Sequence, residues 1–416
     1  MARNEIKNGI IAALDIGSSK VCCAIAQIDK NFNAKIIGFG HNLSKGIKNG
    51  IIVDMAEAKN AIARAVEAAE YVAGLRVDSV FVNISSSRLQ SSIIKAEMSL
   101  SNKPIAENDI KKLVEKGLYR LDIGDSELLH CIPIGYSIDG EDAVADPRGM
   151  YGSSLGVNIH TITHPSAPIK NLETVIESCH LDIAMKIATP YASGLATLVD
   201  DEKELGGTII DIGSGLTNIA VFNNGHIVHA GSIAVGGQNI TQDLAWGLTT
   251  SLSQAERLKT LYGGAISSPK DNREMIKIFP IGEEDETLVK NLAKSEINNI
   301  IIPRIEETME LVLLHLKENN LYDIPSHRVV LTGGCSLIQG IREKASYILN
   351  RQVRIGNVID ITGMPKNAKS PEFATCIGLL NFAIKSNMIK PEKPSVSFHS
   401  VTSPFEKLGQ WLFQSS

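Results

Sequence analysis

Two aspartates, Asp15 and Asp211, lie in matching local sequences that could bind phosphate. The first sequence reads DIGSSKV from Asp15, and the second reads DIGSGLTNIAVF from Asp211. A glycine turn lets backbone N–H groups approach an anion, and small hydroxyls beside the turn can donate further hydrogen bonds. A carboxylate next to a phosphate requires a cation between them, and oxygen ligands favour Mg²⁺. Each sequence therefore predicts a phosphate-binding turn whose aspartate helps to hold a magnesium ion.

The elements around the two aspartates also match. In each case an apolar run with β-branched residues leads to the aspartate and a second apolar run follows the turn, which predicts a β-hairpin with the carboxylate at its tip. A tight turn after a buried strand is the ordinary explanation of one such motif alone. Two motifs 196 positions apart (211 − 15 = 196) instead indicate a duplicated chain, with two lobes that face each other across a cleft.

Two further segments could contact a nucleotide in such a cleft. The sequence VVLTGGCS from Val329 predicts a strand, a glycine turn and a helix, and the bare backbone at Gly333 and Gly334 could lie against a purine ring. A plain strand-to-helix turn is equally consistent with this segment. Glu256 and Lys259 share one face of a predicted helix, where they would form a surface ion pair or contact a ribose.

The composition is that of a globular protein and excludes several functional classes. The 416 residues exceed what one hydrophobic core usually organises, so about two to four domains are expected. A net charge of −5 and a pI near 6.1 give no overall attraction to nucleic acid or anionic lipid. The apolar runs fall short of the ~18 residues needed to span a bilayer. The first run, which stops at Asp15, is also too short for the core of a signal peptide.

Cysteine and histidine spacing does not indicate a metal site. The six cysteines lack CxxC or His-paired spacing, so buried free thiols in a reducing cytoplasm are expected. His130 and His160 lie in predicted strands without a carboxylate at ligand spacing, which favours hydrogen-bonded structural histidines over metal ligands.

Strand and helix patterns alternate as an α/β lobe requires, except over residues 85–164. Polar strands, a helix over 106–118 and a turn cluster predict that this segment is an inserted subdomain. The pattern over 165–198 predicts two helices, around 169–179 and 191–198. Further along, Pro303 is expected to kink or restart a long helical segment that ends near Asn319.

The segment 403–416 predicts an amphipathic helix that follows a polar, proline-bearing linker over 389–402. Ser403 can cap the helix, and Pro404 suits its first position. One broad face is apolar and consists of Phe405, Leu408, Trp411, Leu412 and Phe413. This face would dock on a protein surface or insert reversibly into a membrane, and the segment alone leaves both possibilities open.

Taken together, these motifs resemble known families. DIGSSKV, DIGSGLTNIAVF and LTGG are similar to the two phosphate motifs and the adenosine motif of the actin, sugar-kinase and heat-shock-chaperone superfamily. HCIPIGYSIDG from His130, GMYG from Gly149, AERLK from Ala255, Pro303-Arg304 and VRIG from Val353 look like the FtsA family of bacterial cell-division proteins. The terminal amphipathic helix fits the same family, and the resemblance covers nearly the whole chain.

This resemblance implies an α/β, actin-like duplicated ATPase fold with two lobes around a nucleotide cleft, an inserted subdomain and a C-terminal amphipathic helix. The implied divisions are a lobe 1 core (1A) over 1–84 and 165–198, an inserted subdomain (1C) over 85–164, a lobe 2 core (2A) over 199–248 and 311–360, an upper lobe 2 subdomain (2B) over 249–310, a return helix over 361–388, a flexible linker over 389–402 and the membrane-targeting helix over 403–416.

The resemblance also implies that the chain binds ATP and Mg²⁺. Asp15 and Asp211 would hold Mg²⁺, and Glu256 and Lys259 would contact the ribose. The phosphates would be bound by Gly17, Ser18, Ser19, Lys20, Gly213, Ser214, Gly215 and Thr217, and the adenine side by Gly333, Gly334 and Ser336. Asn218 and Thr189 occupy positions where relatives carry acidic residues, so at most weak ATP hydrolysis is expected.

Members of the FtsA family polymerise, anchor filaments of the tubulin-like protein FtsZ to the cytoplasmic membrane and recruit later division proteins. For this chain the resemblance implies a peripheral location on the inner membrane at the septum, with lipid bound by the terminal helix, later division proteins bound by the inserted subdomain, and no nucleic-acid partner. Arg304 would lie in the helix that receives the C-terminal tail of FtsZ. The alternatives are a pilus-assembly adaptor of the PilM type and a sugar or acetate kinase of the same superfamily.

Overall fold

The computed structural model describes residues 9–29, 33–101, 103–282, 290–324 and 328–388. The predicted linker 389–402 and amphipathic helix 403–416 lie outside the described residues. Across the ranges that the structure covers, no helix is both long enough and apolar enough to cross a bilayer. All six cysteines are free thiols, and five of them are buried while Cys179 is half-buried.

The first lobe is built on a five-stranded mixed sheet. In spatial order its strands are β3 (Ala34–Leu43), β2 (Lys20–Ile28), β1 (Ile10–Ile16), β6 (Ser79–Ile84) and β11 (Asp182–Ala188). The pairs β3/β2 and β2/β1 are antiparallel, whereas β1/β6 and β6/β11 are parallel. Almost every residue of β1 and β2 is buried, because helices cover the sheet on both faces.

The second lobe repeats this sheet. Its spatial order is β14 (His226–Ile233), β13 (Thr217–Asn223), β12 (Gly207–Ile212), β17 (Arg328–Thr332) and β18 (Val353–Ile355). The first two pairs are again antiparallel and the last two again parallel. The hairpins β1/β2 and β12/β13 therefore occupy equivalent places, and the duplication inferred from the two aspartate motifs is present in the topology.

A third sheet lies in the chain between β6 and β11. Its strands, in spatial order, are β7 (Gln90–Ser99), β10 (Ser154–Pro165), β8 (Ser126–Ile138) and β9 (Glu141–Val144), all antiparallel. His130 and His160 lie in β8 and β10, as expected for structural histidines. The Nε2 atom of His130 accepts a hydrogen bond from the Ala188 N–H at 2.9 Å, and that of His160 is 2.7 Å from Ser91 Oγ.

Two short hairpins complete the strands. They are β4 (Ile47–Lys48) with β5 (Ile51–Ile52), and β15 (Met275–Ile278) with β16 (Lys290–Ala293). Asn49 and Gly50 form the tip of the first hairpin with φ values of 49° and 74°, which is the backbone conformation that an Asn-Gly turn favours.

Ten helices are seen in the described ranges. They are α1 (Met55–Ala73), α2 (Glu107–Leu118), α3 (Ser166–Ser178), α4 (Thr189–Thr197), α5 (Asp200–Leu205), α6 (Gly237–Leu248), α7 (Leu252–Tyr262), α8 (Lys294–Glu318), α9 (Ile341–Leu349) and α10 (Ala374–Met388). Helix α1 begins and ends as its sequence predicts. The Asp54 side chain accepts a hydrogen bond from the Glu57 N–H at 3.0 Å, and Gly74 ends the helix with a φ of 68°.

The structure adds one strand that the sequence pattern did not reveal, and it excludes one of two possibilities at Pro303. The segment 165–198 contains the strand β11 between its helices, because Asp182–Ala188 has a polar exposed start that hides the strand pattern but pairs with β6 along its length. Of the two possibilities at Pro303, a restart is excluded: α8 spans 25 residues, Lys294–Glu318, with Pro303 inside it. Apolar residues on both sides of Pro303, including Ile297, Ile301, Ile305 and Met309, are buried in the core of lobe 2, and this burial outweighs the one lost backbone hydrogen bond.

Candidate nucleotide-binding cleft

The two predicted phosphate turns have the same backbone geometry. The Gly17 N–H donates to the Lys20 carbonyl at 3.0 Å, and the Gly213 N–H donates to the Leu216 carbonyl at 2.9 Å. A Cβ atom on Gly17 or Gly213 would lie 2.9 Å or 3.1 Å from the same carbonyl oxygens, so a side chain would crowd either turn. The sequence repeat is thus also a repeat of local structure.

The two turns face each other across a narrow gap. A Cβ atom placed on Gly215 would lie 3.0 Å from Ser18 Oγ and 2.5 Å from Asn49 Oδ1. The Gly50 N–H donates to Ser18 Oγ at 3.2 Å, so the Asn-Gly tip of the β4/β5 hairpin lies beside both turns. Ser19 is exposed and Ser214 is half-buried, which leaves both side chains accessible.

Asp15 and Asp211 are buried carboxyl groups that interact with each other. Burial raises the pKa of Asp15 to about 7, the Lys20 ammonium opposes this rise, and the Asp211 charge adds to it. Burial also raises the pKa of Asp211, against hydrogen bonds from the Ser193 hydroxyl at 2.5 Å and the Thr375 hydroxyl at 3.3 Å. Two acids close together in a dry site favour either protonation or a shared cation.

The two carboxyl groups fit a magnesium ion that is shared with phosphate. The chain offers two acidic oxygen ligands here, and the described ranges hold no cluster of three or more His, Cys, Asp or Glu residues arranged for a metal. Mg²⁺ is commonly held by one or two carboxylates together with phosphate oxygens and water, and less often by an all-protein cage. Bound Mg²⁺ would neutralise the charge that the phosphates place beside these carboxylates.

The predicted adenine turn lies directly against the second aspartate. Gly333 has a φ of 82°, and a Cβ atom there would clash with Asp211 Oδ1 and lie 2.6 Å from the Ile212 carbonyl oxygen. The Ser336 hydroxyl donates to the Gly333 carbonyl at 2.7 Å, and it therefore stabilises the turn itself. Gly334 begins a single 3₁₀ turn over Gly334–Leu337, where the sequence alone predicts the start of a longer helix.

Glu256 and Lys259 form the ion pair that their spacing predicts, and this pair also reaches the second phosphate turn. Lys259 Nζ donates to Glu256 Oε2 at 2.7 Å, to Thr241 Oγ1 at 2.9 Å and to the Gly237 carbonyl at 3.1 Å. The Gly237 N–H in turn donates to the Gly213 carbonyl at 2.9 Å. Helices α6 and α7 are thereby joined to the turn after Asp211.

Thr217 and Thr189 have their hydroxyls occupied by the protein. Thr217 is fully buried, and its hydroxyl donates to the Val235 carbonyl at 2.8 Å. This hydrogen bond stabilises the second phosphate turn from within the protein. The Thr189 hydroxyl donates to the Ile84 carbonyl at 3.1 Å and accepts from the Asn83 amide at 3.2 Å. A hydroxyl held in this way is a poor general base.

Four residues that sequence reasoning missed belong to this cleft. They are Asn49, Ser193, Glu372 and Thr375, whose contacts all involve partners distant in the chain. Only Asn49 carries a local signal, because an Asn-Gly pair between isoleucines predicts a tight hairpin. Glu372 Oε2 lies 3.0 Å from Lys20 Nζ. This ion pair connects the first phosphate turn with the segment around Pro371, whose carbonyl accepts a hydrogen bond from the Gly333 N–H of the adenine turn.

Arg304 lies away from the cleft, on α8. Its guanidinium donates to both carboxylate oxygens of Asp243 on α6, at 2.6 Å and 3.0 Å, and it also pairs with Glu307. The same part of α6 borders an open cavity of about 430 Å³, lined by Gln242, Ala245, Trp246, Thr249, Thr250, Leu252 and Ile281. Trp246 beside this cavity is 78% exposed.

Comparisons with known proteins agree with this arrangement. A family model described as "Cell division protein FtsA" matches residues 208–378, and a model described as "SHS2 domain inserted in FTSA" matches residues 86–163. The solved PilM-PilN type IV pilus biogenesis complex is 16% identical with a TM-score of 0.61, covering 89% of this chain and 97% of that chain. MreB5 of Spiroplasma citri bound to ADP is 15% identical with a TM-score of 0.54, covering 91% and 98%. These two likenesses concern the fold alone, and they confirm the expected actin-like architecture.

The chain is also similar over almost its full length to curated proteins. It is 39% identical to the cell division protein FtsA of Rhizobium meliloti, in an alignment that covers 98% of this chain and 95% of that protein. The resemblance inferred from the motifs is therefore confirmed, and the chain belongs to the FtsA family of cell division proteins.

Proposed function

We propose that this chain is an ATP-dependent adaptor that anchors FtsZ filaments to the cytoplasmic face of the inner membrane at the division septum. The observation that carries the proposal is the pair of equivalent phosphate turns, which face each other with Asp15 and Asp211 at their bases. Because the two turns belong to separate lobes, a nucleotide bound between them would fix the orientation of one lobe relative to the other. The likeness to an ADP-bound MreB supports the same choice of ligand.

The cleft supports nucleotide binding better than rapid hydrolysis. Asp15 and Asp211 would hold Mg²⁺, the turn residues around Ser18 and Ser214 would contact phosphates, and Gly333 would leave space beside the base. Mg²⁺, when bound, would neutralise phosphate charge. Thr189 has its hydroxyl committed to Ile84 and Asn83, so the attacking water lacks a base at this position.

Nucleotide binding is tested by calorimetry with ATP and Mg²⁺. Asp211→Asn removes the charge that the metal requires, and we expect it to weaken binding by at least about tenfold, or 1.4 kcal/mol. The exposed Asp142 on β9 provides the matched control, because Asp142→Asn makes the same change far from the cleft. No ATP uptake by the unmodified chain would refute the proposal.

The surface around Trp246 and Arg304 supports binding of the FtsZ tail. An acidic tail with apolar residues would place its carboxylates near the Arg304 guanidinium and its apolar side chains against Trp246 and the adjacent cavity. Ion pairs with Asp243 and Glu307 hold the Arg304 guanidinium in place, and an acidic tail would compete with these two carboxylates for it.

The tail site is tested with a labelled peptide of the FtsZ C-terminus. We expect Trp246→Ala and Arg304→Glu each to weaken binding by about tenfold or more, measured by fluorescence anisotropy. Tyr347 is 84% exposed on α9, so Tyr347→Ala is a control for loss of a surface aromatic ring. Equal affinity of all three variants would exclude this surface as the tail site. Capture of a pilus-assembly protein in place of FtsZ would favour the PilM-type alternative.

The predicted helix 403–416 would bind the membrane, and assembly would multiply its weak affinity. We expect removal of this segment to abolish pelleting with anionic liposomes while ATP binding persists. Trp411→Glu in the full chain should reduce pelleting with the helix retained. Pelleting that survives both changes would refute the membrane assignment. The proposed role also includes self-association into filaments. Residues 85–164, the inserted subdomain, would bind later division proteins.

A further inference from the structure

Lys20 is a buried cation with unused hydrogen-bond donors. Its Nζ atom lies 3.0 Å from Glu372 Oε2 and 3.6 Å from the centroid of the Phe373 ring. The atom is shielded from water, and in the part of the chain that the structure describes it makes no contact with the angular geometry of a hydrogen bond. Since burying an ammonium group without well-aligned acceptors is costly, this site favours an anion that aligns with the Lys20 donors better than the Glu372 carboxylate does.

Glu372 is attached to the opposite side of the cleft. It lies in the single 3₁₀ turn Pro371–Phe373, and the Pro371 carbonyl accepts hydrogen bonds from the Gly333 N–H and the Thr332 hydroxyl, both at 3.2 Å. The Lys20–Glu372 ion pair therefore joins the first phosphate turn to the segment that contacts the predicted adenine turn.

The two partners differ in how firmly they are held. The Lys20 side chain is 17% exposed, and the ring beneath it is fixed, because Phe373 packs edge-on against Phe39 and His41 with centroids 5.2 Å and 5.7 Å away. The Glu372 side chain is 41% exposed to solvent. When an anion competes for the ammonium, Glu372 can turn to solvent at little cost while Lys20 stays in place.

We propose that Glu372 is a displaceable partner of Lys20: a phosphate oxygen of the bound nucleotide takes the place of the Glu372 carboxylate. Glu372 thereby lowers the affinity of the cleft for nucleotide and acts as a positioning residue for Lys20 in the empty state. This inference rests on the proposed nucleotide site and adds to it a group that regulates occupancy.

The test measures MgATP affinity of the full chain by calorimetry. Glu372→Gln keeps the shape of the side chain and removes its charge, so Lys20 no longer has to exchange one anion for another. We expect binding to tighten by about threefold to tenfold. Glu115 on α2 is exposed and distant, and Glu115→Gln changes the net charge equally, so its affinity should equal that of the unmodified chain.

A double-mutant cycle separates a specific pair from general charge repulsion. Lys20→Met should weaken MgATP binding, and adding Glu372→Gln to Lys20→Met should then change nothing. A gain that persists without the lysine would overturn the proposal. Glu372→Asp withdraws the carboxylate by one methylene and should give an affinity between those of the unmodified chain and Glu372→Gln, which provides a second reading if the Gln variant is unstable.

The inference and the proposed function fail in different ways. If the unmodified chain takes up no MgATP, the nucleotide site itself is wrong. If it binds MgATP and Glu372→Gln binds equally or more weakly, the nucleotide site stands and the displacement proposal is overturned.

Discussion

At the scale of single residues, the Asp211 carboxylate is fixed by two hydroxyls from distant parts of the chain. Ser193 and Thr375 each donate to its Oδ2 atom, and they also contact each other at 3.0 Å. Its other oxygen, Oδ1, faces the bare Gly333 backbone. The two hydroxyls thus position Oδ2, the Asn218 side chain also hydrogen-bonds the carboxyl group, and the absence of a side chain on Gly333 leaves room for Oδ1.

Gly333→Ala should therefore disturb metal-dependent nucleotide binding. The new Cβ atom would clash with Asp211 Oδ1, and a φ of 82° adds about 1–2 kcal/mol of backbone strain for a residue other than glycine. We expect at least a tenfold loss of MgATP affinity in calorimetry. Gly135→Ala is the control, because nothing lies within 4 Å of its Cβ position. Equal affinities of the two variants would contradict this account of the adenine turn.

Some residues of this site can be recognised from the sequence, and others cannot. Asp15, Asp211 and the glycines beside them are recognisable because a local pattern of strand, turn and strand determines their chemistry. Ser193 and Thr375 have no such pattern: they act on Asp211 from 18 and 164 positions away, and only the packing of their helices brings them to it. Glu372 is missed for the same reason.

At the scale of elements, helices α4 and α10 hold this carboxylate in place. Ser193 lies in α4 and Thr375 in the first turn of α10, and the two helices cross in close contact. The crossing is close because Gly378 lies on the Ala192 backbone, where a Cβ atom would overlap the Ala192 carbonyl. The order of strands and helices was largely predictable from the sequence. The distance between α4 and α10 was not, because it depends on which residues of two helices far apart in the chain meet.

Gly378→Ala should force the two helices apart. Overpacking of a dense core typically costs about 1–3 kcal/mol, and the overlap with a backbone atom puts this site at the upper end. We expect a lower urea midpoint, equivalent to a loss of that amount in the free energy of unfolding, and weaker ATP binding because Ser193 and Thr375 move together with their helices. Gly135→Ala in strand β8 should leave the midpoint unchanged. A stable Gly378→Ala variant with normal ATP affinity would show that the crossing can relax.

At the scale of the whole molecule, the proposed ligand bridges two lobes. Asp15 belongs to the first sheet and Asp211 to the second, so nucleotide binding should stabilise the fold as a unit. MgATP at about 100 times its dissociation constant should add about 2.7 kcal/mol, which corresponds to a rise of a few degrees in the thermal unfolding midpoint. At the same MgATP concentration Asp211→Asn, which we expect to weaken binding at least tenfold, should reduce the rise to about half or less. A rise that is equal with EDTA in place of Mg²⁺ would contradict the role of the metal.

Three buried histidines lie where the inserted subdomain meets the lobes, and they should make the molecule sensitive to acid. Burial lowers the pKa of His130 and His160 to about 3 and of His229 to about 4. Ser91 Oγ, which contacts His160, also accepts a hydrogen bond at 3.2 Å from the Ala230 N–H of β14, so this side chain joins the inserted sheet to the second lobe.

The sign of the pH effect follows from these shifts. An unfolded histidine titrates near 6.5, so between pH 6.5 and 5 the unfolded chain binds protons that the native chain excludes. The free energy of unfolding should fall in this range by up to about 1.4 kcal/mol per pH unit for each histidine. Asp15, with its pKa raised to about 7, and Asp211, whose pKa burial also raises, act in the opposite direction but are two groups against three. Urea unfolding at pH 7.5, 6 and 5 measures the slope, which His229→Gln should reduce; a flat profile would contradict the prediction.

The place at which the third sheet enters the chain has an evolutionary consequence. In the second lobe, the connection from β17 to β18 passes through α9, and in the first lobe the equivalent connection from β6 to β11 passes through α3. The strands β7 to β10 are spliced into that one connection, ahead of α3, and they pair with no strand of either five-stranded sheet. An ancestor that consisted of the two five-stranded lobes could therefore have gained the inserted sheet in a single event, without rearranging the two sheets that surround the proposed ligand.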